Sequence, residues 1–203
     1  MVLGSNPSGP MRKLFDGCGG GFILAGRAVL KTPRLWLLPT SLEVARAEIA
    51  DRAGFARLLG ATVPDNWPPE TLADALPLLL GWLEAAPDSL GWFGWHGLAI
   101  DNATGPVLAA SGGFMGPPVA GVVEIGYSVL PQFQGRGYAT EMVIALAAWA
   151  GSQPGVERLV AQTEWGNPAS VRVLLKAGFV HAGPGTQPAG DRYELSVPPT
   201  RAG

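Results

Sequence analysis

A chain of 203 residues with 47% hydrophobic and only 15% charged side chains carries enough nonpolar surface for one well-packed domain, which excludes a solvated, disordered chain even though 29 Gly and 19 Pro call for many turns. With 14 basic against 16 acidic side chains the net charge is -2, so the basic surplus of a nucleic-acid binder is missing, and no apolar stretch approaches the length needed to cross a bilayer. The single cysteine, Cys18, can form no internal disulfide and supply no metal cluster, so small-molecule chemistry in a reducing cytoplasm is the class that fits, with neither nucleic acid nor membrane as partner.

Residues 1–31 carry Gly, Ser and Pro without periodicity. The apolar run Phe22-Ile23-Leu24-Ala25 is too short for a secretory signal and Met11 offers an alternative start, so the segment reads as a poorly ordered extension ahead of a single domain at 32–203. Residues 34–38 read as a first strand ended by Pro39, with Thr40 or Ser41 capping a helix that runs toward Leu59. Pro68 and Pro69 then open a second helix through about Ala85, with Leu72, Leu76, Leu79, Leu80 and Leu83 at core spacing. Strands at 92–100 and 107–114 flank the turn-rich 101–105 and suggest an antiparallel hairpin. An apolar strand at 122–130, a glycine turn, a helix at 137–150, a strand at 156–163, a helix at 168–177 and strands at 179–182 and 193–197 complete a mixed α/β order. The unit 122–163 predicts a parallel crossover.

Between strand and helix stands Gln134-Gly135-Arg136-Gly137-Tyr138-Ala139-Thr140. Two glycines let the backbone turn tightly and clear the approach, and the first N–H groups of the following helix lack internal partners at the positive end of its dipole. Such a stretch can cradle a phosphate or pyrophosphate, and it can equally be a plain strand-to-helix turn. Other phosphate motifs fit worse. No Lys-Ser/Thr pair follows as in a P-loop, Thr140 replaces the third glycine of a dinucleotide fingerprint, and Glu157 stands at the start of the next strand rather than its end.

The combination resembles the GNAT N-acetyltransferases. Gln134-x-x-Gly137-x-Ala139 is similar to their Gln/Arg-x-x-Gly-x-Gly/Ala signature, 124–131 looks like the strand leading into it, and 167–174 with Lys176-Ala177-Gly178-Phe179 resembles their second block. Thr32-Pro33-Arg34-Leu35 looks like the domain start of the ribosomal-protein N-terminal acetyltransferase branch. The resemblance covers 32 to about 197, and within 41–121 only the element order matches. It implies an α/β (α+β) fold: a strongly twisted, mostly antiparallel sheet with two splayed central parallel strands and helices on both faces. It further implies acetyl-CoA as co-substrate, its pantetheine pairing with backbone around Ser128, Val129 and Leu130 and its pyrophosphate meeting the amides of Gly135 to Thr140. Arg136 would neutralise phosphate, and Asn167 and Ser170 would approach the thioester end, although Asn167 before Pro168 is also a standard helix N-cap.

An amine attacks a thioester only as its free base, so a proton acceptor is required. Glu124 matches the position where many relatives place an acidic base, and its apolar neighbours Val122, Val123 and Ile125 would partly desolvate its carboxylate and strengthen it as an acceptor. A backbone N–H near the end of the 122–130 strand is expected to meet the oxyanion. Relatives often carry a tyrosine acid where this chain has Leu174, which leaves Ser170 as the candidate donor. Without a suitable cysteine, direct transfer in a ternary complex is favoured. His96 and His181 stand alone and are expected to be structural, with no metal site, and Trp67, in a Pro-rich loop, is the candidate substrate contact. The acceptor would be a small-molecule amine or a protein N-terminus, and a homodimer is left open. A non-catalytic acyl-CoA-binding regulator is the second reading, and a nucleotide-binding module unrelated to CoA the third.

Overall fold

A computed structural model describes residues 22–24, 27–101, 105–186 and 189–197. The first stretch holds β1 (Phe22–Leu24), β2 (Arg27–Lys31) and β3 (Leu35–Pro39), then α1 (Leu42–Ala50), α2 (Arg52–Leu59), α3 (Glu70–Ala73) and α4 (Leu76–Ala85). The hairpin β4 (Gly94–Asp101) and β5 (Gly105–Phe114) follows, then β6 (Val122–Val129), a 3-10 turn at Pro131–Phe133 and α5 (Tyr138–Gly151). The chain closes with β7 (Arg158–Glu164), α6 (Pro168–Lys176), β8 (Val180–Pro184) and β9 (Gly190–Ser196). The strands form one nine-stranded sheet in the order β1-β2-β3-β4-β5-β6-β7-β9-β8. Every pairing is antiparallel except β6 with β7. Among the described residues no helix is long and apolar enough to cross a membrane.

Successive strand side chains point to opposite faces, so adjacent apolar residues serve different cores. Leu37 and Leu38 show this: Leu37 joins Met142, Leu146, Leu159 and Leu174 in the cluster that buries α5 and α6, whereas Leu38 joins Val44, Phe55, Leu59, Leu98 and Leu108 in the one that buries α1 and α2. The sheet therefore lies between two layers of helix.

Three expectations need correction. The helix read from 41 to 59 is two helices, because Asp51 leaves helical space (φ -144°, ψ 86°) and its carboxylate accepts the Gly54 N–H at 2.9 Å, so one residue ends α1 and caps α2. The helix read from 68 to 85 is interrupted between α3 and α4. Pro77 has no N–H to give and its ring crowds the carbonyl of Ala73, so the helix restarts with Pro77 in its first turn. The domain start at Thr32 falls inside the sheet: β2 pairs with β3 through Leu30↔Leu37 and Lys31↔Trp36, and Val29 and Leu30 are buried in the two opposite cores. Residues 1–21, with Cys18 and Met11, lie outside the described residues.

Candidate active site

The parallel pair is short. β6 and β7 are in register only at Val122↔Arg158, Val123↔Leu159 and Glu124↔Val160. Beyond Glu124 the other edge of β6 stays paired with β5 as far as Val129, and β7 stays paired with β9 as far as Glu164. Each strand keeps its outer partner, so the two separate into a slot. The Leu130 N–H donates to the Ala109 carbonyl at 3.0 Å, which fixes the alternation of the ladder. Leu130 and Ser128 direct their backbones to β5, and Tyr127 and Val129 direct theirs to the slot. Of the three residues expected to meet pantetheine, Val129 alone presents its N–H there, and Tyr127 joins it.

At the end of β6 the Gln134 side chain turns back, its Nε2 donating to the Val129 carbonyl at 3.0 Å, which ties the loop to the strand. Gly135 (φ 72°) and Gly137 (φ 83°) take left-handed conformations that a side chain would strain. A Cβ on Gly135 would meet no heavy atom within 4 Å, so the loop's outer surface is bare. Gly137 is the N-cap of α5 without a side-chain cap bond, and the first intrahelical bond runs from the Glu141 N–H to its carbonyl at 3.1 Å. The N–H groups of Gly137, Tyr138, Ala139 and Thr140 therefore have no intrahelical acceptor and point outward at the positive end of the helix. Arg136 is exposed beside them, its guanidinium 5.6 Å from the Phe133 ring centroid. Bare loop, uncapped amides and cation together fit a pyrophosphate.

Glu124 lies half-buried where the strands part. Its Oε1 accepts from Gln162 Nε2 at 3.1 Å, and Gln162 is held in that orientation because its own Oε1 accepts from the Thr186 N–H and Oγ1, both at 2.7 Å. From the opposite face of β6, Tyr127 reaches α6: its phenol lies 2.7 Å from Ser170 Oγ and donates to the Ser170 carbonyl at 3.1 Å. Burial pushes the Tyr127 phenol above its ordinary range against a smaller opposing effect of the Ser170 bond. Asn167 is the N-cap of α6, Oδ1 accepting the Ser170 N–H at 3.0 Å, so it positions Ser170 whatever else it meets.

The slot, the glycine loop and the uncapped helix all lie within residues 34–180, which match a model of the acetyltransferase (GNAT) domain. The chain belongs to the GNAT acetyltransferase family. An uncharacterized N-acetyltransferase of Bacillus subtilis (strain 168), YjdG, is 28% identical over 153 residues, which span 75% of this chain and 89% of that one. The fold is shared with a Vibrio cholerae protein assigned as a ribosomal-protein-serine acetyltransferase, at TM-score 0.55 and 18% identity over 83% of this chain and 97% of that one. It is shared too with the microcin C7 self-immunity acetyltransferase MccE, solved with acetyl-CoA and AMP, at TM-score 0.54 and 16% identity over 82% and 94%. The chain is accordingly an N-acetyltransferase.

Within this GNAT domain Leu174, at the position expected to hold a tyrosine, is fully buried. The tyrosine hydroxyl beside α6 comes instead from Tyr127 on the facing strand, a residue that spacing along α6 cannot reveal. Trp67 is not a substrate contact: it is 5% exposed, and its indole N–H donates to Glu48 Oε1 at 2.8 Å. The other Glu48 oxygen lies 3.0 Å from His96 Nε2, and His96 Nδ1 lies 3.2 Å from Thr40 Oγ1, so a buried carboxylate gathers these donors into the core. His181 contacts Asp191 at 3.3 Å.

Proposed function

We propose that this GNAT enzyme binds acetyl-CoA in the slot between β6 and β7 and transfers its acetyl group to a primary amine by direct attack in a ternary complex. The observation that carries the reading is the placement of Glu124 at the parting of the strands, with the uncapped start of α5 beyond the same strand's end. Acetyl-CoA, when bound, supplies an acetyl group activated as a thioester. Arg136 and the N–H groups of Gly137 to Thr140 hold the pyrophosphate, and the Tyr127 and Val129 N–H groups line the slot toward the pantetheine and the carbonyl oxygen. An ammonium with a pKa of about 10 must lose its proton before attack, and Glu124, steadied by Gln162, accepts it directly or through water. Ser170 Oγ, backed by the Tyr127 phenol, is the chain's proton donor on the opposite wall. The phenol is ordinarily protonated at neutral pH, the state in which it can donate, and burial pushes it further the same way.

The test is release of free CoA thiol from acetyl-CoA across a panel of small amines and peptides with free N-termini. Amine-dependent release is expected for at least one class of acceptor, with the acetyl group recovered on its nitrogen. Binding of acetyl-CoA without turnover on any amine would favour the regulatory reading.

A further inference from the structure

The first turn of α5 carries an acidic side chain beside the anion seat: Glu141, one residue beyond the last free N–H of the cradle. Near a pyrophosphate that carboxylate is a like charge. Among the described residues it is also the most heavily hydrogen-bonded carboxylate at this end of the sheet. Its Oε1 accepts from Thr32 Oγ1 and from the Arg34 N–H at 2.8 Å, and its Oε2 accepts from Arg34 Nε at 2.8 Å with Nη2 at 2.7 Å. The same guanidinium sends Nη1 to the Arg136 carbonyl at 2.7 Å, and its Nη2 lies 3.1 Å from where a Gly137 Cβ would stand. It also lies 5.3 Å from the Tyr138 ring centroid. Arg34, 107 residues from Glu141 in sequence, thus holds the carboxylate and the loop carbonyl at once and fills the space beside the N-cap glycine.

We propose that Thr32 and Arg34 form a clasp that neutralises Glu141 and fixes the backbone of Arg136 and Gly137, making the start of α5 receptive to the diphosphate of the cofactor. The inference rests on acetyl-CoA occupying this slot and adds a positioning residue to it. An exposed ion pair would do little here, but the Glu141 side chain is only 13% exposed, against 50% for Arg34, and Arg34 Nε and Nη2 converge on Oε2 while the Arg34 backbone N–H holds Oε1, so charge and geometry are both held. With the carboxylate engaged, the cradle presents its amides and Arg136 without an opposing charge. Without Arg34, the carboxylate stands unscreened at the seat and the Arg136 carbonyl loses its donor.

Calorimetric titration of CoA into wild type, Arg34→Gln, Glu141→Gln and the double variant separates this from a merely structural clasp, with melting temperatures measured without ligand in parallel. Arg34→Gln should weaken CoA binding about tenfold, more at low salt than at high. Glu141→Gln should bind CoA as tightly as wild type or more tightly, since the guanidinium is then released toward the phosphates. The double variant should regain most of the affinity lost in Arg34→Gln. Equal loss of melting temperature in both single variants with CoA affinity unchanged would overturn the proposal, as would a double variant no better than Arg34→Gln. Wild type that binds no CoA would sink the cofactor reading and the clasp's role with it, an outcome distinct from wild-type binding that Arg34→Gln leaves intact.

Discussion

At the residue scale the proposed chemistry is divided between the two faces of β6. Glu124 takes its hydrogen bond from Gln162, and Tyr127, three residues on, engages Ser170. If Glu124 accepts the ammonium proton, Glu124→Gln should leave acetyl-CoA affinity nearly unchanged and lower turnover by roughly 10²- to 10⁴-fold, with partial recovery at alkaline pH where more amine is already free. Stopped-assay pH profiles of both proteins, with calorimetry for the cofactor, measure each part. Full activity of the glutamine variant at neutral pH would move the base elsewhere, and lost CoA binding would mark Glu124 as structural. Glu124 and Ser170 were singled out through the family resemblance, and the structure places each beside the slot. Gln162 and Tyr127 were not, since their partners lie 38 and 43 residues away.

At the scale of elements, the loop between β6 and α5 explains its own sequence. Left-handed backbone at 135 and 137 requires glycine, and the Gln134 amide closes the loop onto the strand that precedes it. Gly137→Val adds a branched side chain at φ 83° and forces it against Arg34. The variant should lose the rise in melting temperature that acetyl-CoA gives wild type, because a ligand excluded from the folded state cannot stabilise it. Retention of the full shift would show that the phosphates sit away from this loop. The helices of the α1 to α4 region were the least legible. Asp51 and Pro77 are recognisable as a cap and a breaker, but the apolar period continues across both, and periodicity alone reads through a break that backbone hydrogen bonding decides.

At the scale of the whole molecule, β2 belongs to the structure that holds the site. It pairs with β3, which runs on from the Thr32 and Arg34 clasp, and buries Val29 and Leu30 on opposite faces. Removing two such aliphatic side chains from the core forfeits about 1.5–3 kcal/mol each. At about 2–4 °C per kcal/mol for a domain of this size, a chain beginning at Thr32 should therefore melt roughly 6–24 °C below one beginning at Phe22, by calorimetry or circular dichroism. Equal melting temperatures would return the domain boundary to Thr32.

The sequence by itself determined the mixed α/β order and the glycine turn that opens α5, because each depends on local rules: alternation in strands, glycine where φ is positive, and uncapped amides where a helix begins; the family followed from the resemblance of its motifs. It also named Glu124, Ser170 and Asn167, which stand close to those local landmarks. Only the tertiary structure decided that β6 and β7 part after Glu124, that Tyr127 rather than residue 174 brings a hydroxyl to α6, that Trp67 is buried against Glu48, and that Arg34 meets Glu141. Each of these joins side chains or strands that are distant along the chain. Such meetings are set by which outer partner a strand keeps and which buried polar group needs a donor, and neither condition is written in the spacing of residues along any one segment.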